Sequence, residues 1–147
     1  MTILRLSYEG LPTHLQRCFA YCSLFPKNYH IDPNRLIHMW IAQGFVEIEG
    51  STNKALEDVG RSYFNDLHAR SFFQMLTHGN ETFYTMHDIM SDLAIHVAEG
   101  ECLRFECESM EITPVYTRHL SVSCENVANL VNYDLAMLRS LIVTSKS

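Results

Sequence analysis

An imidazole and several carboxylates cluster in the stretch Phe83-Tyr84-Thr85-Met86-His87-Asp88-Ile89-Met90-Ser91-Asp92-Leu93-Ala94, where an alternating apolar run gives way to a helical one. The stretch reads as a strand feeding a helix. Ile89, Met90, Leu93, Ala94 and Val97 recur at the spacing of a core-facing stripe, with Asp88, Asp92 and Glu99 opposite them. Thr85 and Asp88 form a T-x-x-D signature resembling a capping box, in which the hydroxyl takes an orphan backbone N–H and the carboxylate reaches back. His87 then falls in the first helical turn. Unpaired amides and the positive end of the helix dipole favour an anion there, and the imidazole adds a donor aimed at the same place. The plainer alternative is a histidine that is partly exposed or satisfies a neighbouring carbonyl.

Two other spacings have chemical potential. Asp88, Asp92 and His96 recur every four residues and would line one helix face as metal ligands do, but a solvated face explains them as well, with no fourth ligand or general base in sight. Cys18 and Cys22 also lie four apart. Without further ligands nearby, such thiols pack as small hydrophobes.

These groups must be positioned by a folded chain. The 147 residues are 47% hydrophobic, 11% aromatic and only 19% charged, which suits one globular domain or a small domain plus the beginning of another. The net charge of -6, from 11 basic and 17 acidic residues, argues against nucleic-acid binding. Arg5, Arg17, Arg35, Arg61 and Arg70 are scattered rather than clustered. Cys18, Cys22, Cys102, Cys107 and Cys124 are odd in number with no C-x-x-C pair, so a reduced, cytoplasmic setting is expected. No signal segment or membrane span is expected either.

Ile3, Leu4, Leu6 and Tyr8 suggest a helix that Gly10 breaks. Pro12 suits the first turn of the next helix, with Leu15, Cys18, Phe19 and Cys22 on one face and Pro26 closing the segment. Asp32-Pro33 starts a third helix, whose stripe is Leu36, Ile37, Trp40 and Ile41 and whose stop is Gly44. Trp40 reads as a core anchor. Ser51, Thr52 and Asn53 offer caps for a fourth helix with Leu56, Val59, Tyr63 and Leu67 inward, ending near Arg70. Phe72 to Leu76 and Thr82 to Met86 read as strands of a hairpin joined by the loop Thr77 to Glu81.

Helices closed by a hairpin match a winged helix, a relative of the helix-turn-helix. DNA binding weighs poorly, because the candidate recognition helix mixes Lys54, Arg61 and Arg70 with Glu57, Asp58 and Asp66, and the wing tip carries Glu81 without Lys or Arg. After Gly100, short strands are expected at Cys102 to Phe105, Thr117 to Cys124 and Leu138 to Val143. A short helix or turn at Asn126 to Ala136 would join the last two.

Several separate motifs converge on one family. Leu6-Ser7-Tyr8-Glu9-Gly10-Leu11-Pro12, the run CFAYCSLFP from Cys18 to Pro26, Trp40-Ile41-Ala42-Gln43-Gly44-Phe45, Arg70-Ser71-Phe72-Phe73 and Met86-His87-Asp88 stand in order along the chain. Together they resemble the winged-helix part of the NB-ARC module of plant nucleotide-binding leucine-rich-repeat disease-resistance receptors, coiled-coil class. Arg118-His119-Leu120-Ser121-Val122 and Leu138-Arg139-Ser140-Leu141 resemble the lead-in to the repeats.

The resemblance implies a mainly α fold with a small β-hairpin wing over residues 1–100, then a linker and the beginning of a leucine-rich-repeat-like β segment over 101–147. It further implies a regulatory role in innate immunity rather than an enzymatic one, with the M-H-D residues Met86, His87 and Asp88 as the nucleotide-binding set. His87 would touch the diphosphate of bound ADP and hold the receptor off, and Asp88 would position it through the cap. Partners would be the nucleotide-binding and leucine-rich-repeat domains of the same receptor, or other protomers and immune proteins.

No G-x-x-x-x-G-K-[ST] sequence is present, so the phosphate-cradling loop is missing. ADP or ATP is therefore expected only in a full-length receptor, and none on this chain alone. The chain reads as a fragment of a receptor or as a truncated paralogue with a scaffold role.

Overall fold

The computed structural model describes residues 2–50, 53–105 and 117–145. Three helices open the chain: α1 (Thr2–Glu9), α2 (Thr13–Tyr21), which continues into the 3-10 turn η1 (Cys22–Leu24), and α3 (Pro33–Ala42). Pro12 is the N-cap of α2 rather than a first-turn residue. Asp32 caps α3, its carboxylate accepting the Asn34 N–H at 3.0 Å, and Pro33 follows at the position where a missing N–H costs nothing. Gly44, at φ 75°, ends the segment in a conformation that side chains resist.

The fourth helix, α4 (Leu56–Ala69), is capped by Ala55 without a side-chain bond. Asn53 therefore does not cap it, and Ser51 and Thr52 lie outside the described residues. Its buried face is Gly60, Phe64 and Leu67, a rotation from the expected Leu56-Val59-Tyr63 stripe, which is half-buried. Gly60 is the reason for the rotation. A Cβ there would stand 2.6 Å from the Ile37 Cγ2, so the missing side chain lets α4 press onto α3.

The wing is a two-stranded antiparallel hairpin, β1 (Gln74–His78) and β2 (Glu81–Thr85), with Gln74 opposite Thr85 and His78 opposite Glu81. The link is therefore only Gly79-Asn80, with Gly79 at φ 62°. Phe72 and Phe73 do not join β1. They are buried just before it, Phe73 stacked on Phe64 at 4.8 Å and Phe72 edge-on to Phe19 at 4.8 Å, so the core takes both rings before pairing begins. Ile31 adds a single antiparallel bridge to β2, its N–H donating to the Tyr84 carbonyl at 2.7 Å.

Helix α5 (Asp88–Ala98) follows the wing and packs on α2 and η1. Leu93, Ala94 and Ala98 point into the core and Met90 and Val97 lie half-buried, but Ile89 is exposed, one step off the stripe expected for it. Trp40 sits at the centre, 0% exposed, its indole N–H donating to the Cys18 carbonyl at 3.2 Å. Burying a side chain of that size contributes roughly 1.5–3 kcal/mol, and the partnered indole avoids the cost of an orphan donor. Cys18 and Cys22 are core residues: the Cys22 thiol donates to the Cys18 carbonyl at 3.3 Å. Burial pushes the Cys18 thiol up to about 12 and Cys22 well above its ordinary value.

Beyond Gly100 the strands are parallel. The sheet runs β3 (Cys102–Phe105), β4 (His119–Ser123), β5 (Ser140–Thr144), with the 3-10 helix η2 (Cys124–Asn132) between the last two. A second apolar cluster of Phe105, Leu120, Val122 and Leu130 lies under it. Cys107 lies outside the described residues.

Candidate functional site

The chain enters α5 through a corner fixed from inside. Met86 is 5% exposed and belongs to the core, so its side chain anchors the corner. His87 is the N-cap of α5 and not a first-turn residue; its Nδ1 accepts the Ile89 N–H at 3.4 Å. An imidazole that accepts at Nδ1 carries its proton on Nε2 when neutral. The residue is exposed at the start of the helix.

The expected Thr85–Asp88 capping box does not form. Thr85 pairs with Gln74 as the last residue of β2, and its hydroxyl is buried without a hydrogen-bond partner. Pairing in the strand points that hydroxyl into the core, away from the helix amides, and the histidine takes over the capping role. Asp88 is exposed in the first turn, where its charge suits the helix dipole; the bond to Asp92 is the main cause that holds the Lys27 ammonium above its ordinary range, and Asp88 adds to it. It makes no capping bond to Thr85.

The row Asp88, Asp92, His96 does face outward, but its members have separate partners. Asp92 pairs with Lys27 at 2.8 Å, and the His96 ring meets the Arg5 guanidinium at 3.2 Å. Among the described residues no three His, Cys, Asp or Glu side chains come together as metal ligands. The charged residues of α4 are partly spoken for as well: Arg70 pairs with Asp66 at 2.9 Å, and Arg61 donates to Asn34.

Among the described residues, His87 lines neither of the two larger clefts. One of about 450 Å³ is lined by His14, Glu47, Lys54 and Tyr63, and another of about 520 Å³ by Lys27, Tyr29, His30 and Thr144. An exposed group at a helix mouth that lines neither cleft does not enclose a small molecule alone. It can complete a pocket that another surface brings to it.

A second histidine was not singled out for chemistry by spacing. His119, on β4, is buried where the sheet meets the helices, edge-on to Tyr21 at 5.2 Å and to Phe45 at 6.1 Å, with Nδ1 2.7 Å from the Ser140 hydroxyl. Burial, with Arg139 and Arg118 nearby, lowers it to about 4, so it is neutral at ordinary pH. The alternation of Leu120, Val122 and Cys124 against Ser121 and Ser123 marks β4 as a strand but does not show that both faces are covered. None of the described helices is long and apolar enough to cross a membrane.

Residues 24–94 match a family model described as the winged helix domain of disease resistance proteins. Over 84% of its length the chain is 42% identical to a protein of Arabidopsis thaliana described as a disease resistance protein. It is 46% identical over 62% of its length to disease resistance protein RGA2 of Solanum bulbocastanum, and 44% identical over 68% to disease resistance protein RPM1 of Arabidopsis thaliana. The chain spans only 8%, 9% and 11% of the length of these three relatives. The family-model match covers α3, α4, the wing and most of α5, including the His87 corner, and the chain belongs to the winged-helix family of plant disease-resistance proteins.

Proposed function

We propose that this chain is the regulatory, non-enzymatic part of a plant immune receptor, in which His87 senses ADP held by a nucleotide-binding domain of the same receptor. The observation that carries the reading is the exposed ring at the N-cap of α5, with Nδ1 occupied by the Ile89 N–H, which leaves Nε2 to carry the proton of the neutral ring. A charge-assisted bond from that donor to a phosphate contributes about 1.5–3 kcal/mol. Coupling between two sites typically amounts to about 1–3 kcal/mol, so a single contact of this kind can bias an on–off equilibrium without locking it. Met86 and Asp88 act around the ring, the first by anchoring the corner and the second by adding a first-turn carboxylate.

The parallel strands beyond residue 101 fit the beginning of a leucine-rich repeat. His119 and Ser140 are register partners 21 residues apart, with a 3-10 helix between their strands, and such repeats recur every 20–29 residues. The cytoplasm is the compartment in which such a switch would meet ADP and ATP.

The test is nucleotide occupancy of the purified full-length receptor. His87→Ala should lower the ADP retained through gel filtration relative to the parent. Equal occupancy in both would overturn the sensing role.

A further inference from the structure

One short segment touches the chain on both sides of His87. Leu24 to Ile31 runs from η1 to the cap of α3 and is internally rigid: the Tyr29 N–H donates to the Pro26 carbonyl at 3.2 Å, and the Phe25 and Tyr29 rings stack at 5.0 Å and 10°. Asn28 turns the chain at φ 63°. From this segment the Ile31 N–H reaches the Tyr84 carbonyl at 2.7 Å, and the His30 ring stacks on Phe83 at 4.0 Å. Lys27 reaches Asp92 at 2.8 Å. His87 lies between those two anchor points, three residues after Tyr84 and five before Asp92, so the segment holds both sides of the corner.

The same segment is held from behind by the parallel sheet. The Ser121 hydroxyl, buried on β4, donates to the Leu24 carbonyl at 2.6 Å, and the Arg104 guanidinium reaches the Phe25 carbonyl at 3.5 Å. A piece attached to the sheet at Leu24 and Phe25, and to the corner at His30, Ile31 and Lys27, transmits a shift of either to the other.

We infer that Lys27 and Ser121 are positioning residues for His87, coupling the seat of the parallel sheet to the mouth of α5 through Leu24–Ile31. The coupling rests on the contacts alone, and only its consequence for nucleotide rests on the sensing reading. Lys27 and Asp92 are solvent-exposed, so their pair contributes little to global stability and serves chiefly to fix the angle of the helix.

The experiment reads the 147-residue chain by NMR, following the His87 ring Cε1–Hε1 signal and exchange of the Ser91 amide, which bonds the His87 carbonyl at 2.9 Å. Lys27→Met should move the ring signal and speed Ser91 exchange roughly two- to fivefold, the size an exposed ion pair supports, while Lys27→Arg restores both. Ser121→Ala should move the same His87 signal from the far side of the segment, and move it less in the Lys27→Met background. The inference is overturned if Ser121→Ala alters only signals of the sheet, or if the two substitutions add independently at His87. In the full-length receptor, Lys27→Met should also speed ADP release. Coupling at His87 with unchanged release would uphold the positioning and count against ADP sensing.

Discussion

The winged helix and the parallel sheet bury their apolar residues by different means. The first encloses a continuous core from Leu11 to Ala94, crowded with rings around Trp40 and Phe64. The second has, among the described residues, four buried apolar residues and leaves Val131 84% and Met137 54% exposed. The sheet gains its remaining cover by leaning on the helices through His119 and Ser121. A unit with its own core folds independently of its neighbours, whereas one that borrows cover reports on how it is seated.

The largest effect that separates the two comes from their centres. Trp40→Ala removes the core anchor and its bond to the Cys18 carbonyl, and should cost about 3–5 kcal/mol, enough to unfold the chain near room temperature by circular dichroism. Leu120→Ala, fully buried in the sheet, should cost about 2–5 kcal/mol. Its loss should fall on the sheet, leaving the fluorescence of Trp40, the only tryptophan, as in the parent. If both variants lose Trp40 fluorescence together, the two regions are one cooperative unit.

A pH titration sharpens the contrast at the seam. His119 titrates near 6.5 when unfolded and near 4 when folded, so between those values the unfolded chain binds more protons and stability rises with pH. Stability should fall by on the order of 2 kcal/mol as pH drops from about 6.5 to 4, then level off for this group. His119→Gln should flatten that part of the profile in denaturant melts. An unchanged profile would mean that the seam carries no buried neutral histidine.

Much of this was legible in the sequence, and the misses have local causes. Helical stripes, the Asp32-Pro33 start and the Gly44 stop follow from patterns set by neighbours along the chain. The orientation of α4 does not, because it depends on Gly60 meeting Ile37 across a helix pair. Phe72 and Phe73 look like strand residues until the core claims their rings. The corner shows the same limit: T-x-x-D spacing fits a capping box, but pairing of Thr85 with Gln74 turns the hydroxyl inward and passes the cap to His87. Exposure of His87 and burial of His119 come from tertiary contacts, so spacing along the chain did not distinguish them.

A smaller effect checks the close helix contact. Gly60→Ala should cost about 1–3 kcal/mol because its Cβ would meet Ile37 Cγ2 at 2.6 Å. In an Ile37→Ala background the same change should cost much less, as a double-mutant cycle in denaturant will show. Equal costs in both backgrounds would place the strain elsewhere.

In the proposed role His87 contributes a ring donor to ADP and not merely a cap to α5. His87→Asn separates the two, since asparagine caps helices well but does not carry an imidazole. Measured as the rate of ADP release from the full-length receptor, this substitution should speed release by about 10- to 150-fold, the equivalent of one charge-assisted hydrogen bond. Release at the parent rate, from a receptor that melts at the parent temperature, would contradict it.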